Sequence, residues 1–262
     1  MLRIGIAQIN TKPDDRASNY KTVEDWMENN CRPSDNETVI VLPEIWDVGY
    51  AIKDAKTLAD PEAKEAINFL GGLSEKYHVW FAGGSVLAGT KDSAANRALV
   101  INPSGSCIAC YDKVHLYPLM EEDKFLVGGR KECLFKIGDV TAGCVICYDI
   151  RFCEWLRLYA VHGAEILFIS ADWPAERLDH WRTLLRARAI ENMMYIAACG
   201  RASRAGASSA GHSMVIDPWG SILYEASDRE EAAFVDVDIS KVKEARNYLK
   251  VFEVRHPKLY KE

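Results

Sequence analysis

No run of lysine or arginine interrupts the 262 residues of this chain, and its formal net charge is −6, so it offers no basic surface to a nucleic acid. No apolar stretch approaches the roughly 20 residues that a membrane helix needs. The apolar part of Met1–Ile9 is too short for a signal-peptide core. A cytoplasmic protein without a membrane partner is therefore expected. No repeat period, linker or low-complexity segment marks a boundary, and residues 1–262 are expected to form a single domain. A disulfide framework is not expected either. Eight cysteines are present, but a chain of this length builds a core without staples, and the thiols read as reduced.

What is present fits an ordinary globular chain, with 48% hydrophobic and 27% charged residues. Leu2 to Ile9 alternates as a strand, and Thr38-Val-Ile-Val-Leu-Pro43 is the short β-branched run of a buried parallel strand. Between them, Tyr20, Val23 and Met27 recur at helical spacing from Asp14 to Cys31, with Asp14 or Asp15 as the cap. A helix is expected over Pro61–Tyr77, then strands at Val79–Val86 and Ala95–Ile101. The latter turns through Asn102-Pro-Ser-Gly105 into a hairpin with Cys107–Leu116, which carries Lys113 near its far end. A loop with a short helix spans Tyr117–Arg130. Strands at Cys133–Ile137, Val140–Cys147 and Ala164–Ser170 are interleaved with helices at Phe152–His162 and Leu178–Asn192. Strands follow at Tyr195–Cys199, His212–Ile216, Ser221–Glu225 and Ala233–Val237, then a short helix at Lys241–Arg246. The tail 248–262 carries Val251, Phe252, Val254, Leu259 and Tyr260, which docking on a partner subunit would bury. Helices alternating with buried strands predict an α/β fold with sheets covered on their outer faces.

The chain changes character most abruptly at Thr141-Ala-Gly-Cys-Val-Ile-Cys-Tyr-Asp-Ile-Arg-Phe152. An apolar strand there delivers Cys147 to a sharp turn before a helix, where a nucleophile has a fixed base and an open front. A small buried cysteine is the plainer alternative. Two Cys-x-x-Cys pairs, Cys107/Cys110 and Cys144/Cys147, raise a zinc site or a redox dithiol as rivals. Both pairs lie in strand-like runs, where residues three apart face opposite sides, so the thiols of a pair diverge. Glu44, Lys113 and Glu122 share the strand-end or loop context of Cys147. Of the histidines that could partner the thiol (His115, His162, His180 and His212), only His115 has that context too.

Leu42-Pro-Glu44, Tyr111-Asp-Lys-Val-His-Leu116 and Cys147-Tyr-Asp-Ile-Arg-Phe152 resemble, in order and separation, the three signature segments of the nitrilase superfamily of carbon-nitrogen hydrolases. Asp172-Trp-Pro174, the stretch His180 to Asn192, Gly211-His-Ser213 and Asp217-Pro-Trp-Gly220 are similar to the same family, so the resemblance covers essentially the whole chain. Within it the chain is most similar to the omega-amidase branch, which hydrolyses the terminal amide of small 2-oxo acid amides. The resemblance implies a four-layer αββα sandwich, a homodimer, a small-molecule amide substrate, no metal and no organic cofactor. It implies a Glu-Lys-Cys triad of Glu44, Lys113 and Cys147, with Glu122 as the additional active-site glutamate and Glu121 as its replacement if the loop is shifted by one. The segment Cys199-Gly200-Arg201 departs from the family pattern.

These roles also follow from elementary chemistry. A free thiol is only a few per cent thiolate at neutral pH, so an amide-cleaving cysteine needs a base or a nearby cation. Glu44 can take the thiol proton and later activate water, and Lys113 can face the oxyanion together with the backbone N–H of Tyr148. Asp149 and Arg151 are expected to pair and hold the turn. Tyr50, Trp173 and the Arg201–Gly211 loop are expected to line the pocket. An N-carbamoyl amide hydrolase or a nitrilase would use the same triad, and a non-catalytic binding module is the alternative of a different class.

Overall fold

The alternation of β-branched runs with amphipathic ones becomes, in the computed structural model, two six-stranded sheets with helices outside them. Residues 1–90, 93–203 and 209–260 are described. The first part of the chain runs β1 (Leu2–Gln8), α1 (Arg16–Asn30), β2 (Glu37–Val41), α2 (Ala55–Leu58), α3 (Lys64–Tyr77), β3 (Trp80–Thr90), β4 (Ser93–Ile101), β5 (Cys107–Asp112) and α4 (Glu122–Phe125). The second runs β6 (Leu134–Ile137), β7 (Val140–Ile146), α5 (Cys153–Val161), β8 (Ile166–Ala171), α6 (Leu178–Asn192), β9 (Tyr195–Gly200), β10 (Met214–Ile216), β11 (Ile222–Glu225), β12 (Glu231–Val237) and α7 (Ser240–Leu249).

The first sheet has the order β12-β1-β2-β3-β4-β5 and the second β11-β10-β9-β8-β7-β6. The triplets β1-β2-β3 and β7-β8-β9 are parallel, joined by helical crossovers, whereas the flanking strands pair antiparallel. The last strand, β12, returns to the first sheet beside β1. Strand alternation then assigns the layers. Ile4, Ile6, Val39 and Val41 face the second sheet's Cys144, Ile146 and Phe168, while Ile40, Phe81 and Leu99 turn outward to Val23 and Met27 of α1 and Leu70 of α3. Leu156 and Tyr159 of α5 and Trp181 and Leu185 of α6 cover the outer face of the second sheet. The result is an αββα sandwich. Each fully buried aliphatic of this kind contributes about 1.5–3 kcal/mol relative to exposure.

Most element boundaries fall within a few residues of the sequence expectation, and the differences have local causes. Asp15 caps α1 by accepting from Ser18 N at 3.1 Å. The helix expected over Pro61–Tyr77 is broken near its start, because Glu62 and Ala63 have positive φ and only Lys64 onward is α-helical. The fifth strand stops at Asp112, short of the expected Leu116, because Lys113 exchanges its sheet partner for the loop. Its N–H still donates to Asn96 O, but its carbonyl accepts from Gly129 N, both at 2.9 Å. Gly129 is required there, since a Cβ would lie 2.1 Å from Asp112 O. Among the described residues, no helix is long and apolar enough to cross a membrane.

Candidate active site

The chain leaves β2, β5, β7 and β8 toward one place, and there it presents Glu44, Lys113, Cys147 and Asp172. Lys113 Nζ donates to Glu44 Oε1 and to Glu122 Oε1, each at 2.8 Å. All three side chains are completely buried. Glu122 reaches them from α4, where its other oxygen accepts Tyr117 N at 2.6 Å. The neighbouring Glu121 is instead paired with Lys124 at 2.5 Å near the surface, so the register with Glu122 inward is the one adopted. Glu44 Oε1 also accepts Asn96 Nδ2, and Oε2 accepts Asp172 N, both at 2.8 Å. The Cys147 thiol faces the same Glu44 carboxylate.

Cys147 owes its position to a change of backbone. Ile146 is the last extended residue of β7, and Cys147 has φ +43° at the start of a short 3-10 turn, Cys147–Arg151. A non-glycine residue in this region costs on the order of 1–3 kcal/mol and persists only where its surroundings enforce it. Asp149 does so. Its Oδ2 accepts Ile146 N at 3.0 Å and Tyr111 OH at 2.8 Å, and its Oδ1 accepts His115 N at 3.0 Å and meets His115 Nδ1 at 2.7 Å. The expected Asp149–Arg151 pair is not formed. Arg151 lies over the Trp173 ring at 4.8 Å, and the acceptor positions of Asp149 are taken by Ile146 N, Tyr111 OH and two nitrogens of His115, its backbone N and Nδ1. His115 stacks on Phe152 at 3.6 Å and is committed to Asp149 rather than to the thiol. The other histidines considered pair with Glu132, Arg151 and Glu225.

Burial decides the electrostatics. It pushes the proton affinity of Glu44 up, with Lys113 opposing and Glu122 adding to the rise. The Cys147 thiol is pushed well up by burial and by the charge of Glu44, and Lys113 only partly offsets them. For Lys113 burial favours loss of the proton, but Glu44 and Glu122 outweigh it and the ammonium is held charged. The resting site is therefore a thiol beside a carboxylate, with a fixed cation next to both.

Beside the sulfur lies a narrow cleft lined by Tyr117, Cys147, Tyr148, Arg151, Trp173, Pro174 and Arg177. Trp173 lines it, with its Nε1 anchored on Arg177 O at 2.8 Å. Tyr50, expected at the pocket, is not among the residues lining this cleft. With φ +67° it directs its hydroxyl onto Glu122 Oε1 as a donor. In the expected pocket loop, residues 204–208 lie outside the described residues; Arg201, ahead of them, binds Asp172 Oδ2 at 2.5 Å.

Asn96, the Asp172 N–H, Tyr117 and Arg177 escaped the sequence reading. Asn96 alone left a signal there, as an amide inside the apolar run Ala94–Ile101. The Cys144/Cys147 pair diverges as expected, but the Cys107/Cys110 pair does not, because a β-bulge in β5 sets Cys107 and Cys110 opposite Ile101 and Leu99 on one face of the sheet. Cys144 is opposite Cys133 across the β6–β7 ladder, with Cys144 N to Cys133 O at 3.3 Å, while Cys147 faces Glu44. Among the described residues, no group of three or more His, Cys, Asp or Glu is placed to hold a metal ion.

A family model described as "Carbon-nitrogen hydrolase" matches residues 3–247. The chain is 38% identical over 245 residues to the 2-oxoglutaramate amidase of Bacillus subtilis (strain 168), covering 93% of each. It is 30% identical to the Homo sapiens omega-amidase NIT2, covering 85% of this chain and 84% of that one. The crystal structure of Saccharomyces cerevisiae Nit3, described as a member of branch 10 of the nitrilase superfamily, superposes with a TM-score of 0.87 at 25% identity, covering 98% and 96% of the two chains.

Proposed function

The chain belongs to the carbon-nitrogen hydrolase family, and from that premise we propose that it releases ammonia from the terminal amide of a small 2-oxo dicarboxylic acid monoamide. The observation that carries this reading is a single thiol, Cys147, facing the Glu44 carboxylate, beside the Lys113 ammonium and open to a cleft lined by Arg151 and Arg177.

In this mechanism the amide carbonyl enters between Cys147 and Lys113. Glu44 accepts the thiol proton as the sulfur forms a bond to the carbonyl carbon, and the oxyanion is met by Lys113 Nζ and the Tyr148 N–H. Collapse of the adduct breaks the carbon–nitrogen bond, and Glu44 returns its proton to the departing ammonia. Water then enters, gives a proton to Glu44 and attacks the thioester, which yields the carboxylic acid and restores the thiol. Burial of Glu44 suits this duty, since a carboxylate with raised proton affinity is a better base near neutral pH. Glu122, bound by Lys113, Tyr50 and Tyr117 N, holds the ammonium in place.

The substrate class rests on two supports. The relatives named above are a 2-oxoglutaramate amidase and an omega-amidase. Arg151 and Arg177 stand at the pocket, where a carboxylate at the far end of a dicarboxylic monoamide would find a cation. Ammonia release should be compared among succinamate-like amides, the same amides with the distal carboxylate replaced by a methyl ester, N-carbamoyl compounds and nitriles. The proposal expects the carboxylate-bearing amides to lead, and it fails if the neutral amides or nitriles do.

A second copy of the chain is proposed to cover the apolar groove between α5, α6 and the tail, where Leu158, Val254 and Tyr260 are exposed. Sedimentation of the full chain should give a dimer, and truncation after Leu249 should weaken it.

A further inference from the structure

Three donors converge on Glu44, and the reaction as written uses only one of them. Asn96 lies in β4 with no exposure, in a strand whose other described residues on either side are mostly apolar. Its Nδ2 donates to Glu44 Oε1, the oxygen that also takes the Lys113 ammonium, and its backbone carbonyl takes the Lys113 N–H. On the other oxygen, Asp172 N donates to Oε2. A carboxylate oxygen has two lone-pair positions. Both on Oε1 are occupied and one on Oε2 is, so a single acceptor position remains, on Oε2. To create this pattern the carboxamide must turn its NH2 toward the carboxylate, and no described protein group donates to the Asn96 Oδ1 left behind. A residue chosen only to fill the strand would be apolar.

We propose that Asn96 is a positioning residue that closes Oε1 to protons, so that the proton taken from Cys147 goes to Oε2 and is returned from there. This rests on the reading of Glu44 as the base. The charged and titratable groups that face Glu44 are Lys113 from the end of β5, Glu122 from α4, Asp172 from the end of β8, Cys147 from the turn after β7 and Tyr50 from the segment after β2. All of them persist in an Asn96 variant. Removing the amide donor therefore does two things. It takes away a hydrogen bond that favours the ionised carboxylate, and it opens a second acceptor position, on Oε1.

The test is the pH profile of kcat/KM for Asn96→Leu and Asn96→Asp, beside Glu44→Gln. The acid limb should move to higher pH by about one unit in Asn96→Leu. It should move further in Asn96→Asp, where a further carboxyl, beside those of Glu122 and Asp172, faces Glu44. In both, kcat should fall at least roughly tenfold near neutral pH, with KM little changed because Asn96 does not line the pocket. A folded variant with the wild-type acid limb overturns the proposal. So does failure of both variants to fold, which would make Asn96 a purely structural residue. If Glu44→Gln keeps its turnover, the base assignment itself is wrong; if it is inactive while the Asn96 variants keep the wild-type limb, only the present inference falls.

Discussion

Glu44 and Asp149 are both wholly buried carboxylates placed where sheet strands end, and they differ in how full they are. Asp149 meets four donors with its two oxygens, from Ile146, Tyr111 and both nitrogens of His115. It has no acceptor position left, and its work is to hold the turn that carries Cys147. Glu44 meets three donors and keeps one position. Saturation makes a carboxylate structural, whereas an open lone pair near a thiol suits it to the role of base proposed above. The same contrast separates Cys144 from Cys147 three residues away. Cys144 looks into the core across from Cys133, and Cys147 looks at Glu44.

Changes on the Glu44 side of this comparison should act on rate. Cys147→Ala should abolish ammonia release while leaving thermal unfolding nearly unchanged; retained release would remove the nucleophile from the account. Lys113→Met should lower kcat by roughly 10²–10³ through the lost oxyanion partner. It should also cost on the order of 3–5 kcal/mol of stability, because two buried carboxylates lose their cation, which a denaturant titration would read.

Changes on the Asp149 side should act on stability first. Asp149→Ala strands two buried donors, Ile146 N and Tyr111 OH, and two half-buried ones on His115, and a loss of about 3 kcal/mol is expected by urea unfolding. Full stability with lost activity would break the division drawn here. Asp47 sharpens it as a third buried carboxylate, held by Arg16 at 3.1 Å and by Leu87 N at 3.1 Å. Burial raises its pKa to about 6 against the pull of Arg16. The folded state thus keeps this proton up to about pH 6, whereas the unfolded chain releases it near pH 4. Its contribution is present below about pH 4 and is lost as pH rises toward 6, by up to about 3 kcal/mol. Subtracting the Asp47→Asn stability curve from the wild-type one should reveal that slope. The smallest effect is expected at the pocket, where Arg151→Met should raise KM roughly tenfold for a carboxylate-bearing amide, about 1.4 kcal/mol. The same change should leave KM for a neutral amide nearly alone.

Much of the frame was legible because parallel strands buried on both faces read as unbroken apolar runs, as at Thr38–Pro43, and because the crossover helices show their own period. The ends of such runs are also where polar residues stand out, which is how Glu44, Lys113 and Cys147 came forward. Contacts made at long range were not legible. The donors on Glu44 come from residues 52 and 128 positions away as well as from Lys113. The Asp149–Arg151 expectation failed because three of the four donors on Asp149 arrive from β5 and the loop after it, and the fourth is a backbone N–H, Ile146, rather than a side chain. Tyr50 was read as a pocket wall, since nothing in sequence shows that a positive φ turns its hydroxyl onto Glu122.

The most direct measurement is peptide mass spectrometry of the enzyme quenched in acid during turnover of a succinamate-like amide. An acyl group on Cys147, absent from the other seven cysteines and lost when turnover is allowed to finish, is the predicted result. Turnover with no acyl adduct on Cys147, or with the adduct on a different cysteine, would contradict it.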